Sequence, residues 1–132
     1  MTSEDSARDE LYRLLQSIYF DAIDQGDATA AVDAFDEDVE WVHTQVWEHD
    51  GHDRSKTDTL RGRESVREFL AARISEMQVE GIQHRVREVI SDGRVGAFRA
   101  EVVGPVGRSM PFLGWVELTD GKISSYIVTP ER

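Results

Sequence analysis

Tyr19 and His43 are the residues of this 132-residue chain whose types and placement best suit proton chemistry. Imidazole is the natural acid/base near neutral pH, and an apolar wall around it lowers its affinity for a proton. Such a base can take a proton from a carbon beside a carbonyl. His43 shares strand parity with Trp41, Gln45 and Trp47, so these four are expected on one face. A packed histidine satisfied by a backbone carbonyl would carry the same letters. Tyr19 falls about 80–90° from the centre of its helix's apolar stripe, at about 100° per residue. A hydroxyl there either enters a pocket or sits wet at a boundary.

A second group lies in the loop after that strand. His49, Asp50, His52 and Asp53, with Glu48 beside them, offer nitrogen and oxygen ligands at a spacing that could hold zinc or iron. No further histidine pair on a rigid element completes such a site, so neither a metal nor a cofactor is expected. His84, Arg99, Glu101 and Glu117 sit on strands, where each could face a pocket or pair across the sheet surface. Trp41, Trp47, Phe98, Phe112 and Tyr126 read as pocket wall or core. If they line a cavity with Gln45, the ligand is flat and largely apolar.

The elements that must position these groups follow from periodicity and punctuation. Leu11, Leu14, Leu15, Ile18 and Ala22 form one stripe on a helix over Ser3 to Gln25, which Gly26 ends. Asp27 caps a shorter helix with Ala31, Val32 and Phe35 inward. Asp36-Glu37-Asp38 has turn chemistry, Val39 to Trp47 reads as a strand, and Glu48 to Thr59 reads as a long loop that could cover a pocket mouth. Val66, Phe69, Leu70, Ile74 and Met77 give a third helix between Gly62 and Gly81. Two Asp-Gly hairpins, at Asp92-Gly93 and Asp120-Gly121, join the remaining strands. The chain is thus one α+β domain over residues 1–132, three helices with an antiparallel meander.

Two strands near the C-terminus are apolar on both faces. Leu113 and Trp115 oppose Phe112 and Val116, while Ile123 and Ile127 oppose Tyr126 and Val128. A sheet with helices on one side and water on the other should alternate, so the second face calls for a cover. The expected cover is a second copy of the protein, a homodimer through the face carrying Leu113 and Trp115.

Composition narrows the rest. There are 26 acidic residues against 15 basic ones, a net charge of -11, and only Lys56 and Lys122 are lysines. Such a surface offers no basic patch for nucleic acid or anionic membranes. Lysine scarcity with carboxylate excess predicts adaptation to concentrated salt, where the self-repulsion is screened. With no cysteine, disulfides and thiolate chemistry are excluded. The N-terminus shows no basic-then-apolar segment and no apolar run is long enough to span a bilayer, so the expected location is the cytoplasm.

Four pieces carry a resemblance that covers nearly the whole chain: Y-F-D-A-I-D-Q-G-D at 19–27, A-V-D-A-F-D-E-D-V-E-W at 31–41, L-R-G-R-E-S-V-R-E-F-L at 60–70 and W-V-E-L-T-D-G-K-I-S-S-Y at 115–126. In this order they resemble the nuclear transport factor 2-like superfamily, the cystatin-like α+β cone, and within it the SnoaL-like and ketosteroid isomerase-like branches. The resemblance implies helices packed in the concavity of a strongly curved, mixed, mostly antiparallel sheet, with an apolar dead-ended pocket. In the steroid-isomerase branch a tyrosine at the position of Tyr19 donates to the substrate oxyanion, and a carboxylate base stands where this chain has His43. A second donor, a protonated aspartate, is replaced here by Gly114. Steroid isomerisation is therefore not supported. The resemblance leaves acid/base chemistry by an isomerase or cyclase on a small apolar carbonyl compound, or a non-catalytic ligand-binding or assembly module.

Overall fold

The computed structural model describes residues 3–48 and 54–131. Its first helix, α1, runs from Ser3–Tyr12 through a π-wound stretch, Arg13–Phe20, into a last turn, Asp21–Asp24. The wider winding is visible where the Asp21 N–H donates to the Gln16 carbonyl, an i→i+5 bond. Helix α2 is Ala28–Ala31 with a tighter turn, Val32–Ala34, and its first turn is capped by Asp27 accepting from the Ala30 N–H. Helix α3 spans Arg63–Glu80 and ends on Gly81 in the left-handed conformation, φ 68°.

Six strands form one sheet: β1 Phe35–Thr44, β2 Thr57–Arg61, β3 Gln83–Ser91, β4 Val95–Val103, β5 Ser109–Thr119 and β6 Lys122–Pro130. They lie in the order β2-β1-β6-β5-β4-β3, with β1 parallel to β6 and every other pair antiparallel. The result is the curved, open, mixed sheet with N-terminal helices that the resemblance implies. Both Asp-Gly turns connect the hairpins expected of them. Irregular register at Phe35/Glu40, Val86/Glu88 and Glu117/Leu118 supplies local twist and bend.

Several local readings change. The strand expected over Val39 to Trp47 is Phe35–Thr44, so Gln45 and Trp47 lie beyond its end, and Phe35, expected on the second helix, begins it because the helical stretch stops at Ala34. Asp36-Glu37-Asp38 lies within β1 rather than before it; its turn chemistry survives as the Asp38 N–H donating to the Asp36 side chain at the irregular register. The expected Glu48–Thr59 loop gives way to β2 at Thr57, paired with Thr44. Ile123 points into the core rather than outward with Ile127, because β6 carries an extra residue at Ser124 opposite Glu117 and Leu118, which reverses its parity. No described helix is long and apolar enough to cross a membrane.

The core fills the space between α1 and the concave side of the sheet. Leu11, Leu14 and Leu15 from the helix meet Phe35, Val39, Val116 and Ile123 from the strands, all with almost no exposure. On the convex side Ile90, Leu113, Trp115 and Ile127 remain exposed, Trp115 by 43%.

Candidate functional site

The π-winding of α1 is what brings its polar residues inward. Under regular winding Tyr19 would sit at the margin of the stripe; a wider turn puts residues five apart in line, so Leu14 and Tyr19, and Leu15 and Phe20, share the buried face. Ile18, expected in the stripe, is only half buried. Gln16 is buried as well. Its amide donates to Asp21 at 2.8 Å and to the His84 carbonyl at 3.1 Å, and accepts from the Val86 N–H at 2.7 Å. The helix therefore supplies edge strand β3 with the pairing that a neighbouring strand would otherwise provide.

A cavity of about 70 Å³ opens between α1, α3 and the concave face. Tyr19, Phe20 and Ile23 line it from α1; Phe69, Arg73, Met77 and Glu80 from α3; Trp41, His43, His84, Phe112 and Tyr126 from the strands; Gln45 and Trp47 from the segment after β1. The apolar lining keeps the local dielectric low, which makes each polar group inside matter more.

Two of those polar groups are hydroxyls. The Trp41 indole N–H donates to the Tyr19 oxygen at 3.2 Å, and the Tyr126 ring packs edge-on against that of Tyr19 with centroids 5.4 Å apart. Burial pushes both phenols well above their ordinary range, so both stay protonated. The Tyr19 oxygen accepts in its bond with Trp41, so its own proton is left to donate elsewhere.

The third group is His43, whose ring stacks on Trp41 with centroids 5.1 Å apart. Burial first, then the neighbouring His84 and Arg73, hold its pKa down at about 4, so it is neutral at pH 7. The residue as a whole is half-buried, and its Nδ1 is sealed with no hydrogen-bond partner among the described residues.

The fourth is a pair. The Asp24 carboxylate reaches Nδ1 of His84 at 2.7 Å with one oxygen and accepts the His84 backbone N–H at 2.8 Å with the other. The His84 ring lies flat on Phe20, 5.1 Å between centroids and 5° between planes. Arg73 stands at the side of the cavity, donating to Gln45 at 3.1 Å and lying 5.4 Å over the Phe69 ring.

The cavity thus brings together Tyr19, His43, Trp41, Gln45, Trp47, Phe112 and Tyr126. Phe98 stands outside it as a correction to its expected place: its ring fills the space over Gly114, where a Cβ would collide with it. The position where the steroid-isomerase branch has its second donor is thereby occupied by an aromatic ring. Of the four strand residues left open, His84 alone lines the cavity. Arg99 pairs with Glu131 and Glu88, Glu101 pairs with Arg87, and Glu117 is exposed. His49, Asp50, His52 and Asp53 lie outside the described residues, and no group able to hold a metal ion occurs among the described ones. Asp24 and Arg73 escaped notice in the sequence. Asp24 sits within the Tyr19–Asp27 piece, but nothing local links it to a histidine 60 positions on.

Comparison with known proteins follows the same lines. A family model described as the SnoaL-like domain matches residues 18–126, whereas no curated protein matches the chain. A candidate ketosteroid isomerase from Kribbella flavida DSM 17836 is similar at 16% identity and TM-score 0.65, over 100% of this chain and 82% of that one. A candidate polyketide cyclase from Sinorhizobium meliloti is similar at 18% identity and TM-score 0.62, over 98% and 100% respectively. An LEH-like epoxide hydrolase of M. tuberculosis is similar at 16% identity and TM-score 0.60, over 98% and 86%. At such identities the likeness is one of fold.

Proposed function

The chain belongs to the SnoaL-like domain family, and from that premise we propose that its cavity performs cofactor-independent acid/base chemistry on a small, apolar carbonyl compound. The observation that carries this reading is that Tyr19 and His43, 24 positions apart, line one apolar cavity. In this reading the neutral His43 takes a proton from the carbon beside the carbonyl. The Tyr19 hydroxyl proton then stabilises the enolate oxygen. Trp41, Phe112, Trp47 and Gln45 shape the binding space and exclude water. A cavity of about 70 Å³ is well below the several hundred Å³ of drug-sized ligand sites, which favours a small substrate.

The test uses cyclopentanone as a probe, following exchange of its α-hydrogens in D2O by proton NMR. The parent protein should exceed free imidazole at equal concentration. Tyr19→Phe and His43→Gln should each lower the rate on the order of 100-fold while leaving the thermal transition cooperative. A parent rate no greater than that of free imidazole would sink the reading.

A second role, assembly, is favoured by the convex face. Ile90, Ala97, Trp115 and Ile127 are successive cross-strand neighbours and form an apolar row across β3, β4, β5 and β6, with Leu113 beside it. The occupant proposed is a second copy of the chain. Light scattering should report a dimer that Trp115→Glu converts to a monomer; a monomeric parent at micromolar concentration refutes it. The charge excess carries one more expectation, a melting temperature that rises between low salt and molar KCl.

A further inference from the structure

The Asp24–His84 pair does something that neither Tyr19 nor His43 can do alone. A histidine that only packs needs one partner and no particular tautomer. His84 is instead specified on every side. Phe20 fixes the ring plane, Asp24 takes both Nδ1 and the backbone N–H, and Gln16 holds the strand at the His84 carbonyl and at Val86. Asp24 and His84 side chains are each only 12% exposed, so their contact is little screened by water.

That arrangement settles which nitrogen is free. With Nδ1 given to the carboxylate, the proton of a neutral ring belongs on Nδ1 and the lone pair on Nε2. The described residues provide no hydrogen bond to Nε2, and the ring borders the cavity that His43 and Tyr19 also line. A carboxylate behind an imidazole holds its orientation and stabilises the charge the ring gains on accepting a proton. Position and support are present in one residue, and the tautomer follows from the carboxylate on Nδ1.

We propose that His84, with its ring held by Asp24, is a second proton carrier of the cavity, acting through Nε2 on the same ligand as His43. The inference rests on the acid/base reading given above. As the C–H bond beside the carbonyl breaks, its proton forms a bond to Nε2 and the electron pair moves to the carbonyl oxygen, where a tyrosine hydroxyl donates. Return of the proton from Nε2 to carbon restores the ring. The Nδ1 proton stays on its bond to Asp24 throughout, and no co-reactant is consumed. Asp24 is a positioning residue; it meets the ligand only through His84.

The pair also distinguishes the two imidazoles. His43 carries an Nδ1 without a partner among the described residues, against an apolar wall, whereas His84 has a carboxylate behind it.

Cyclopentanone exchange in D2O again serves as the probe, joined by nitrogen-15 NMR of the histidine rings. In the parent, His84 should be the Nδ1–H tautomer. His84→Gln should lower exchange on the order of 100-fold. Asp24→Asn should lower it about tenfold and give His84 a mixture of tautomers, and Asp24→Glu should restore part of both. If Asp24→Asn does not fold, His84→Gln and the tautomer of the parent decide the matter. Full exchange in His84→Gln, with loss in His43→Gln, overturns this inference and leaves the acid/base reading standing. A His84 ring protonated on Nε2 in the neutral parent overturns it as well. No exchange above free imidazole in the parent overturns both.

Discussion

The concave and convex faces of the sheet are built from alternate residues of the same strands, yet they hold polar groups in opposite ways. Along β4 and β5, Ala100, Val102, Phe112 and Val116 turn inward, while Arg99, Glu101, Leu113 and Trp115 turn out. Inside, each polar group is part of a network or lacks one: Gln16 serves both sides of its amide, Trp41 serves Tyr19, and His43 Nδ1 has no partner among the described residues. Outside, Arg87–Glu101, Arg99–Glu88 and Arg99–Glu131 pair in water. Low dielectric makes an interior hydrogen bond decisive and an unmade one costly, whereas screening makes exterior pairs worth little.

The difference can be broken or sharpened by substitution. The largest effect expected is Trp41→Ala, which removes a 1% exposed indole and its bond to Tyr19. It should cost about 3–5 kcal/mol, read by urea denaturation. A loss near that of an exterior residue would erase the contrast.

Next comes His43. Its folded pKa of about 4 lies below the ordinary 6.5, so the unfolded chain binds its proton first. Stability from this group is complete above 6.5 and lost as pH falls through the window to about 4, by about 3 kcal/mol in total. The denaturant midpoint of the parent should therefore fall relative to that of His43→Gln as pH drops from 6.5 toward 4. Parallel curves would show that the ring is not held neutral.

Gly114→Ala sharpens the comparison on the concave face. The added methyl meets the Phe98 ring, and overpacking should cost about 1–3 kcal/mol. The double variant with Phe98→Leu should regain part of that loss in the same denaturant series. Smallest is Arg99→Ala on the convex face, expected to cost about 0.2–1 kcal/mol and to fade in high salt. A larger loss would mean that the outer pairs work as the inner ones do.

How much of this was legible beforehand varies with the range of the interaction. The hairpins were readable because Asp-Gly turns are local. The grouping of Trp41 with His43 was readable because strand parity is local too, whereas Gln45 and Trp47 lie beyond the end of β1 and reach the cavity from the segment after it, as Val46 does. Strand β2 was not, since T-D-T-L-R carries a single apolar residue at a sheet edge and its identity comes from pairing with β1. The burial of Tyr19 depends on the π-winding of α1. The inward turn of Ile123 depends on one extra residue in β6.

The sequence by itself determined the order of elements, the α+β class, the family and the residue types available for proton chemistry, because all of these follow from local periodicity, turn chemistry and recurring pieces. Only the tertiary structure decided which of them meet. It set Phe98 against Gly114 rather than in the cavity, closed Trp41 onto Tyr19, and brought Asp24 to His84. Those contacts depend on where a helix winding widens and a strand register shifts. Each displaces side chains by a fraction of a turn or a whole face, and neither leaves a mark in the letters around it.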